Sequence, residues 1–228
     1  MTGGSRGIGL AVAHALAAEG CPIILAARSE RELGKASREL APHRTRVLAM
    51  PADVSDPYSV DALFRTIRRE FRRLDVVFNN AGIGHPNLPV HDLPYPTWRE
   101  VLATNLDGLF LVTQAALAML RPGGAIVNNL SIAARRVFPG SSAYNASKHG
   151  ALGFTNTLRE ELRSKRIRVI ALLPGATDTA IWKSLWPAAP RKKMMSSQTV
   201  AKAVVDALQA PPESTIEELV ILPAAGTL

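Results

Sequence analysis

Cysteine is nearly absent. Cys21 is the only one in 228 residues, so no disulfide can close within the chain, and the sequence reads as suited to a reducing, cytoplasmic compartment. No apolar run approaches the roughly 18 residues of a membrane span, so no membrane partner is expected. The first residues lack the charged-then-apolar pattern of a secretory signal. His85, His91 and His149 show no ligand spacing with acids or with Cys21, so no metal site is expected. Internal repeats and low-complexity tracts are also missing. No break in composition divides the chain, and residues 1–228 read as one domain with one substantial core.

Charge is plentiful but scattered. Lys and Arg number 27 against 19 Asp and Glu, a net +8 that invites a nucleic-acid partner. The placement argues otherwise. Arg65, Arg68, Arg69, Arg72 and Arg73 alternate with Phe64, Ile67 and Phe71 at helical spacing, the pattern of a solvated helix face. Arg191-Lys192-Lys193 is too short for a nucleic-acid tail, and no nucleic acid is expected.

Apolar segments rich in Val, Ile and Leu alternate with amphipathic ones. Strands are predicted over 22–27, 46–50, 75–78, 125–130, 168–173 and 218–222. Helices are predicted from Ser29, with Glu32 completing a capping box, and from Asp56-Pro57 to Phe71, with proline at the first helical position. Further helices are expected over 97–120, capped by Thr97 with Glu100, over 142–163, and from a Ser197 cap to Leu208. Strands without clean alternation, separated by helices, indicate a doubly wound α/β domain with a parallel, Rossmann-like sheet.

Two features carry chemistry. Tyr144 and Lys148 stand four positions apart in Tyr-Asn-Ala-Ser-Lys, on one face of a helix, with Ser131 thirteen positions upstream. A phenol with a free pKa near 10 is a poor acid-base catalyst at neutral pH unless a cation favours its ionised form, and Lys148 is placed to supply one. The chain opens Thr2-Gly-Gly-Ser-Arg-Gly-Ile-Gly9, a turn that lets backbone approach a pyrophosphate and presents helix amides to it. Its spacing is not G-x-G-x-x-G, and such a turn alone is a weak signal, with a purely structural tight turn as the lesser reading.

With Tyr144-x-x-x-Lys148, this turn resembles that of the short-chain dehydrogenase/reductase family, and the resemblance covers essentially the whole chain. It implies a cofactor turn of Gly3, Gly7 and Gly9 with Ser5, Arg6 and Ile8 beside them. It also implies that Asp53-Val54 contact the adenine, and that Asn79-Asn80-Ala81-Gly82 stabilise the central strand and line the cofactor cleft. Pro174-Gly175, Thr177 and Thr179 would lie near the nicotinamide. The implied catalytic set is Ser131, Tyr144, Lys148 and Asn105. Tyr144 would exchange a proton with the substrate oxygen, and Ser131 would hold that oxygen. Lys148 would lower the tyrosine pKa and bond the ribose, and Asn105 would position a water. Asp53 and Asn79 are equally read as strand-end caps.

The acidic residue that would select NAD at the end of the second strand is missing, and Ala27 stands there. Arg28-Ser29 follow, and Arg28 with Arg6 suits a 2′-phosphate, so NADP(H) is expected over NAD(H). The expected activity is carbonyl–alcohol interconversion on a small molecule. A cofactor-binding sensor or interaction protein that lost its chemistry is the alternative. The substrate loop is placed at about 176–197, where Trp182 and Trp186 with Ile181, Leu185, Met194 and Met195 form either an apolar lid or a packing surface. In the family the long helices pair across a two-fold axis, which implies a homodimer or a tetramer. One element is absent, because the glycine turn follows only Met1 where a first strand should precede it. In the family that strand lies mid-sheet, so Met1 is expected to occupy the place of its last residue and to be a misassigned start.

Overall fold

Apolar runs without alternation become parallel strands covered on both faces. The computed structural model describes residues 1–211 and 213–226. The order is α1 (Gly7–Ala18), β1 (Ile23–Ala27), α2 (Glu30–Leu40), β2 (Val47–Pro51), α3 (Pro57–Glu70) and β3 (Leu74–Asn79). Then come α4 (Tyr95–Leu102), α5 (Gly108–Leu117), β4 (Leu120–Asn129), α6 (Ser142–Arg163), β5 (Arg168–Pro174), α7 (Trp182–Leu185), α8 (Ser197–Leu208) and β6 (Glu218–Ile221). One core packs α1, α2 and α8 on one side of the strands, and a second packs α3, α5 and α6 on the other. The α/β doubly wound reading holds.

Local chemistry sets most boundaries. The Asp56 carboxylate accepts from the amides of Tyr58 and Ser59 ahead of Pro57. Gly20, at φ +77°, ends α1 with its amide on the Ala17 carbonyl while Cys21 donates to Leu16, a paired C-terminal cap that only a left-handed residue allows. Other boundaries differ from expectation. The helix predicted over 97–120 starts at Tyr95, because Pro96 tolerates the first turn, and Thr97 with Glu100 makes no cap. It is interrupted by a π-helical turn at Ala103–Asp107 and stops at Leu117. Leu120 instead opens β4, pairing with Leu74 before a register shift brings Ala125 opposite Val76. At α8 the cap is Ser196, whose Oγ accepts from the Thr199 amide, not Ser197.

The sheet is two parallel ladders, β1-β2 and β3-β4-β5-β6. Between them stand Met1 and Thr2. The Met1 amine donates to the Ile24 carbonyl at 2.7 Å, and the Ala26 amide donates to the Met1 carbonyl at 2.9 Å. On the other side the Thr2 amide donates to the Phe78 carbonyl at 3.0 Å. These two residues therefore continue the sheet from β1 to β3 as a strand end, and the glycine turn leaves from Thr2. Elsewhere β1 pairs only with β2 and β3 only with β4 among the described residues. Burial drives the Met1 amine down to about 5, because a charged ammonium there would lose its water.

Candidate active site

Parallel strands ending together create a crevice at their carboxyl ends, and here it is a cleft of about 710 Å³. Gly3 and Gly7 both adopt left-handed backbone, at φ +58° and +56°. A Cβ on Gly3 would come within 2.7 Å of Asn80 Nδ2, and one on Gly7 within 3.2 Å of Thr179 Cγ2. No side chain caps α1, which leaves its first amides for an anion. Gly3, Ser5, Arg6, Gly7 and Ile8 line the cleft as expected. Gly9 does not, because it is buried where a Cβ would collide with the Gly3 carbonyl, and its role is close packing of α1 on the turn.

Asn80 fastens the turn. Its Nδ2 donates to the carbonyls of Thr2 at 3.1 Å and Gly3 at 2.9 Å, and its Oδ1 accepts from Asn129 Nδ2 at 2.8 Å. Thr2 Oγ1 in return accepts from the amides of Asn80 and Ala81. Asn80, Ala81 and Gly82 line the cleft. Asn79 points away from it and holds the sheet interior, donating to Thr113 Oγ1 and Asn128 Oδ1.

At the far end lie Arg28, Ser29, Asp53 and Val54. Burial pulls the Asp53 carboxyl upward, but two hydrogen bonds from Ser55 and the nearby Arg28 charge outweigh it and hold the group below its ordinary value. The same wall includes Glu32, which the sequence places only in a capping box. Half of that box forms, since Ser29 Oγ accepts from the Glu32 amide at 3.2 Å. The Glu32 carboxylate turns instead to Ser5 Oγ at 3.3 Å and Arg6 Nη1 at 3.2 Å. A local capping rule concealed a tertiary ion pair.

The candidate catalytic set meets mid-cleft. Tyr144 sits in the first turn of α6 and Lys148 one turn on, and both line the cleft with Ser131, which lies just past the end of β4. Ser131 hydrogen-bonds the Tyr144 phenol, and its Oγ also accepts from the Ala133 amide at 3.1 Å. Lys148 is 5% exposed and donates to the Asn129 carbonyl at 3.1 Å, its Nζ lying 5.6 Å from the Tyr144 ring centroid. Burial pushes the Tyr144 phenol above its ordinary value, and the Ser131 bond draws it back only in part. Burial also brings the Lys148 ammonium down to about 8, so it remains largely protonated at neutral pH.

Asn105 occupies the π-helical turn and does not line the main cleft. Its Oδ1 accepts from the Ile83 amide at 2.8 Å, and its Nδ2 donates to the Ile83 carbonyl and Ser147 Oγ. Its side chain is thus committed to protein partners. A second cavity of about 10 Å³ touches both Asn105 and Lys148, a size at the lower bound for one water.

Pro174, Gly175, Thr177 and Thr179 line the cleft beyond β5. The loop after them is tied down. Trp182 Nε1 donates to the Thr177 carbonyl at 2.9 Å, and Arg191 pairs with Asp178 and donates to the Thr179 carbonyl. Of the two readings for this loop, an apolar lid or a packing surface, Ile181, Trp182, Leu185 and Trp186 fit the first in that they line the cleft as an apolar wall. Met195 is instead buried in the core, and Met194 lies outside the lining. Phe138, Ile132 and Ile83 complete that wall, residues with no chemical signature that sequence reading could detect. No metal-holding group of His, Cys, Asp or Glu exists among the described residues, nor any helix long and apolar enough to cross a membrane.

A family model described as short chain dehydrogenase matches residues 1–190. A 3-oxoacyl-[acyl-carrier-protein] reductase of Synechocystis sp. is 36% identical over 188 residues, 81% of this chain and 76% of that protein. An uncharacterised oxidoreductase of Staphylococcus aureus is 31% identical over 225 residues, 98% of this chain and 95% of that one. Among solved structures, an alcohol dehydrogenase of the archaeon Thermococcus sibiricus complexed with 5-hydroxy-NADP superposes with TM-score 0.91 at 32% identity, covering 98% of this chain and 95% of that one. A short chain dehydrogenase of Burkholderia cenocepacia in complex with NADP gives 0.89 at 30% identity, over 98% and 95%. With a glycine turn and the Ser131, Tyr144 and Lys148 constellation on one cleft, the chain belongs to the short-chain dehydrogenase family of oxidoreductases.

Proposed function

We propose that this chain is an NADP(H)-dependent reductase or alcohol dehydrogenase that interconverts a small-molecule carbonyl and its alcohol, with Tyr144 as the acid and base. The observation that carries the reading is the Ser131–Tyr144 hydrogen bond beside Lys148, on the wall of a cleft whose far end is an uncapped helix and two arginines. Bound NADPH supplies a hydride there. Gly3, Gly7 and the first amides of α1 hold the pyrophosphate, while Arg6 and Arg28 receive the 2′-phosphate. Asp53 and Val54 border the adenine, and Gly82, Pro174, Gly175, Thr177 and Thr179 border the nicotinamide.

In reduction, the Tyr144 hydroxyl gives its proton to the carbonyl oxygen, and Ser131 donates a hydrogen bond to the same oxygen as negative charge develops. A phenol is protonated at neutral pH, and burial pushes that of Tyr144 further in the same direction. Lys148, protonated below about 8, bonds the ribose and opposes the charge left on the phenolate. The small cavity between Asn105 and Lys148 suits a water that returns a proton to the lysine. A sensor without chemistry is disfavoured, since it has no need of a buried lysine beside a hydrogen-bonded phenol.

Further parts of the reading concern setting. The lone Cys21 suits the cytoplasm. Phe110, 45% exposed on α5 and stacked edge-on against Phe154 of α6, favours a homodimer or tetramer built on those helices. The test of the whole reading is nicotinamide absorbance during incubation with a panel of ketones and aldehydes, with NADPH and NADH in parallel. Turnover faster with NADPH is expected. No oxidation of either cofactor across the panel contradicts the reading.

A further inference from the structure

We infer that Glu32 sets the cofactor selectivity of this cleft, an inference that rests on the nicotinamide-cofactor reading above. Four ionised side chains line the nucleotide end: Arg6, Arg28, Glu32 and Asp53. Their formal charges cancel. Two arginines alone form a strong trap for a 2′-phosphate, which carries nearly two negative charges, but two carboxylates offset them.

The two carboxylates are not equivalent. Asp53 Oδ1 accepts from the amide and hydroxyl of Ser55, at 2.9 and 2.7 Å, which anchors that carboxylate in a turn of its own chain segment. Glu32 has no such anchor. Its bonds are the longer ones to Ser5 Oγ at 3.3 Å and Arg6 Nη1 at 3.2 Å, and Arg6 is 64% exposed at the cleft mouth. Arg6 is thus held by a carboxylate at the place where a 2′-phosphate needs it. For NADPH to use Arg6, Glu32 must release that guanidinium and remain near the phosphate. For NADH the reverse holds, because a ribose 2′-hydroxyl donates to a carboxylate. Glu32 therefore weakens NADPH and supports NADH, and the wild-type chain takes both cofactors with only a modest preference for NADPH. The selecting carboxylate comes from the first turn of α2, five residues beyond Ala27, where the strand-end position carries no acid.

The test is equilibrium titration of NADPH and of NADH by cofactor fluorescence, against wild type, Glu32→Gln, Arg6→Ala and the double variant. A like charge within a few ångströms of the phosphate in a partly solvated cleft is worth about tenfold in affinity. Glu32→Gln is expected to tighten NADPH about tenfold and to weaken NADH about threefold. Arg6→Ala is expected to cost more NADPH affinity in the Glu32→Gln background than in wild type, because Arg6 is then free for the phosphate. Because the pair is exposed, melting temperature is expected to stay within a few degrees. If both cofactors bind and Glu32→Gln leaves their affinity ratio unchanged, the inference is wrong while the nicotinamide reading stands. If neither cofactor binds wild type, that reading fails and takes the inference with it.

Discussion

The two halves of the cleft are built differently. The half that carries Ser131, Tyr144 and Lys148 stands on the four-stranded ladder and is threaded by buried side-chain bonds. Asn79 reaches Asn128, Asn128 reaches Thr155, and Asn105 clamps Ile83 and Ser147. The half that carries Arg6, Arg28 and Asp53 stands on the two-stranded ladder. It reaches the rest of the sheet through Met1 and Thr2, and its charged groups are exposed or half-buried. Buried neutral networks fix atoms within a rotamer, whereas exposed ion pairs exchange partners at little cost. The proposed function therefore puts the chemistry where geometry must be fixed, and nucleotide recognition where partners must be exchanged.

The largest expected effect lies in the rigid half. Lys148→Met is expected to lower turnover about a thousandfold or more and to weaken NADPH several-fold, since both the charge beside Tyr144 and the ribose contact are lost. In wild type the reductive kcat/KM is expected to fall as pH rises through about 8, where the lysine loses its proton. A profile flat from pH 7 to 9.5 contradicts the role given to Lys148.

The next effect sits at the joint. Asn80 bonds Thr2 and Gly3 on one side and Asn129 on the other, so Asn80→Ala leaves partners of both halves unsatisfied. Urea denaturation is expected to report about 3 kcal/mol of lost stability. A loss below about 0.5 kcal/mol would mean that the halves are held together by other contacts. The smallest effect belongs to the exposed half. Arg28→Ala is expected to weaken NADPH about tenfold in titrations and to leave NADH almost unchanged. Equal losses for both cofactors place Arg28 away from the 2′-phosphate.

The same contrast governs what sequence reading could reach. The strands, α2 and α3 were legible because apolar runs and the local caps at Ser29 and Asp56 specify them. The shared helix face of Tyr144 and Lys148 was legible because their spacing sets it, whereas Ser131 was singled out by the family resemblance. The π-helical turn was not legible. Within it Asn105 bonds back to Ile83, twenty-two residues away, a contact that leaves no periodic mark. Leu120 was read into a helix because its pairing with Leu74 is a tertiary fact. Glu32 was legible as a cap and illegible as a cleft residue, since only the fold brings Arg6 to it. The loop after Thr179 was legible as apolar but not in its packing: Trp182 and Trp186 line the cleft, while Met195 turns into the core where Thr177 bridges to it. Spacing displays the cation beside the phenol but not the burial that raises the phenol and lowers the lysine.

Tyr144→Phe removes one oxygen and with it the proton that the proposed chemistry transfers. On any carbonyl compound that wild type reduces, single-turnover NADPH oxidation by the variant is expected to fall by three orders of magnitude or more, with NADPH affinity in the same samples within a few-fold of wild type. A variant that binds NADPH normally and oxidises it at the wild-type rate contradicts the assignment of Tyr144 as the proton donor, and with it the proposed mechanism.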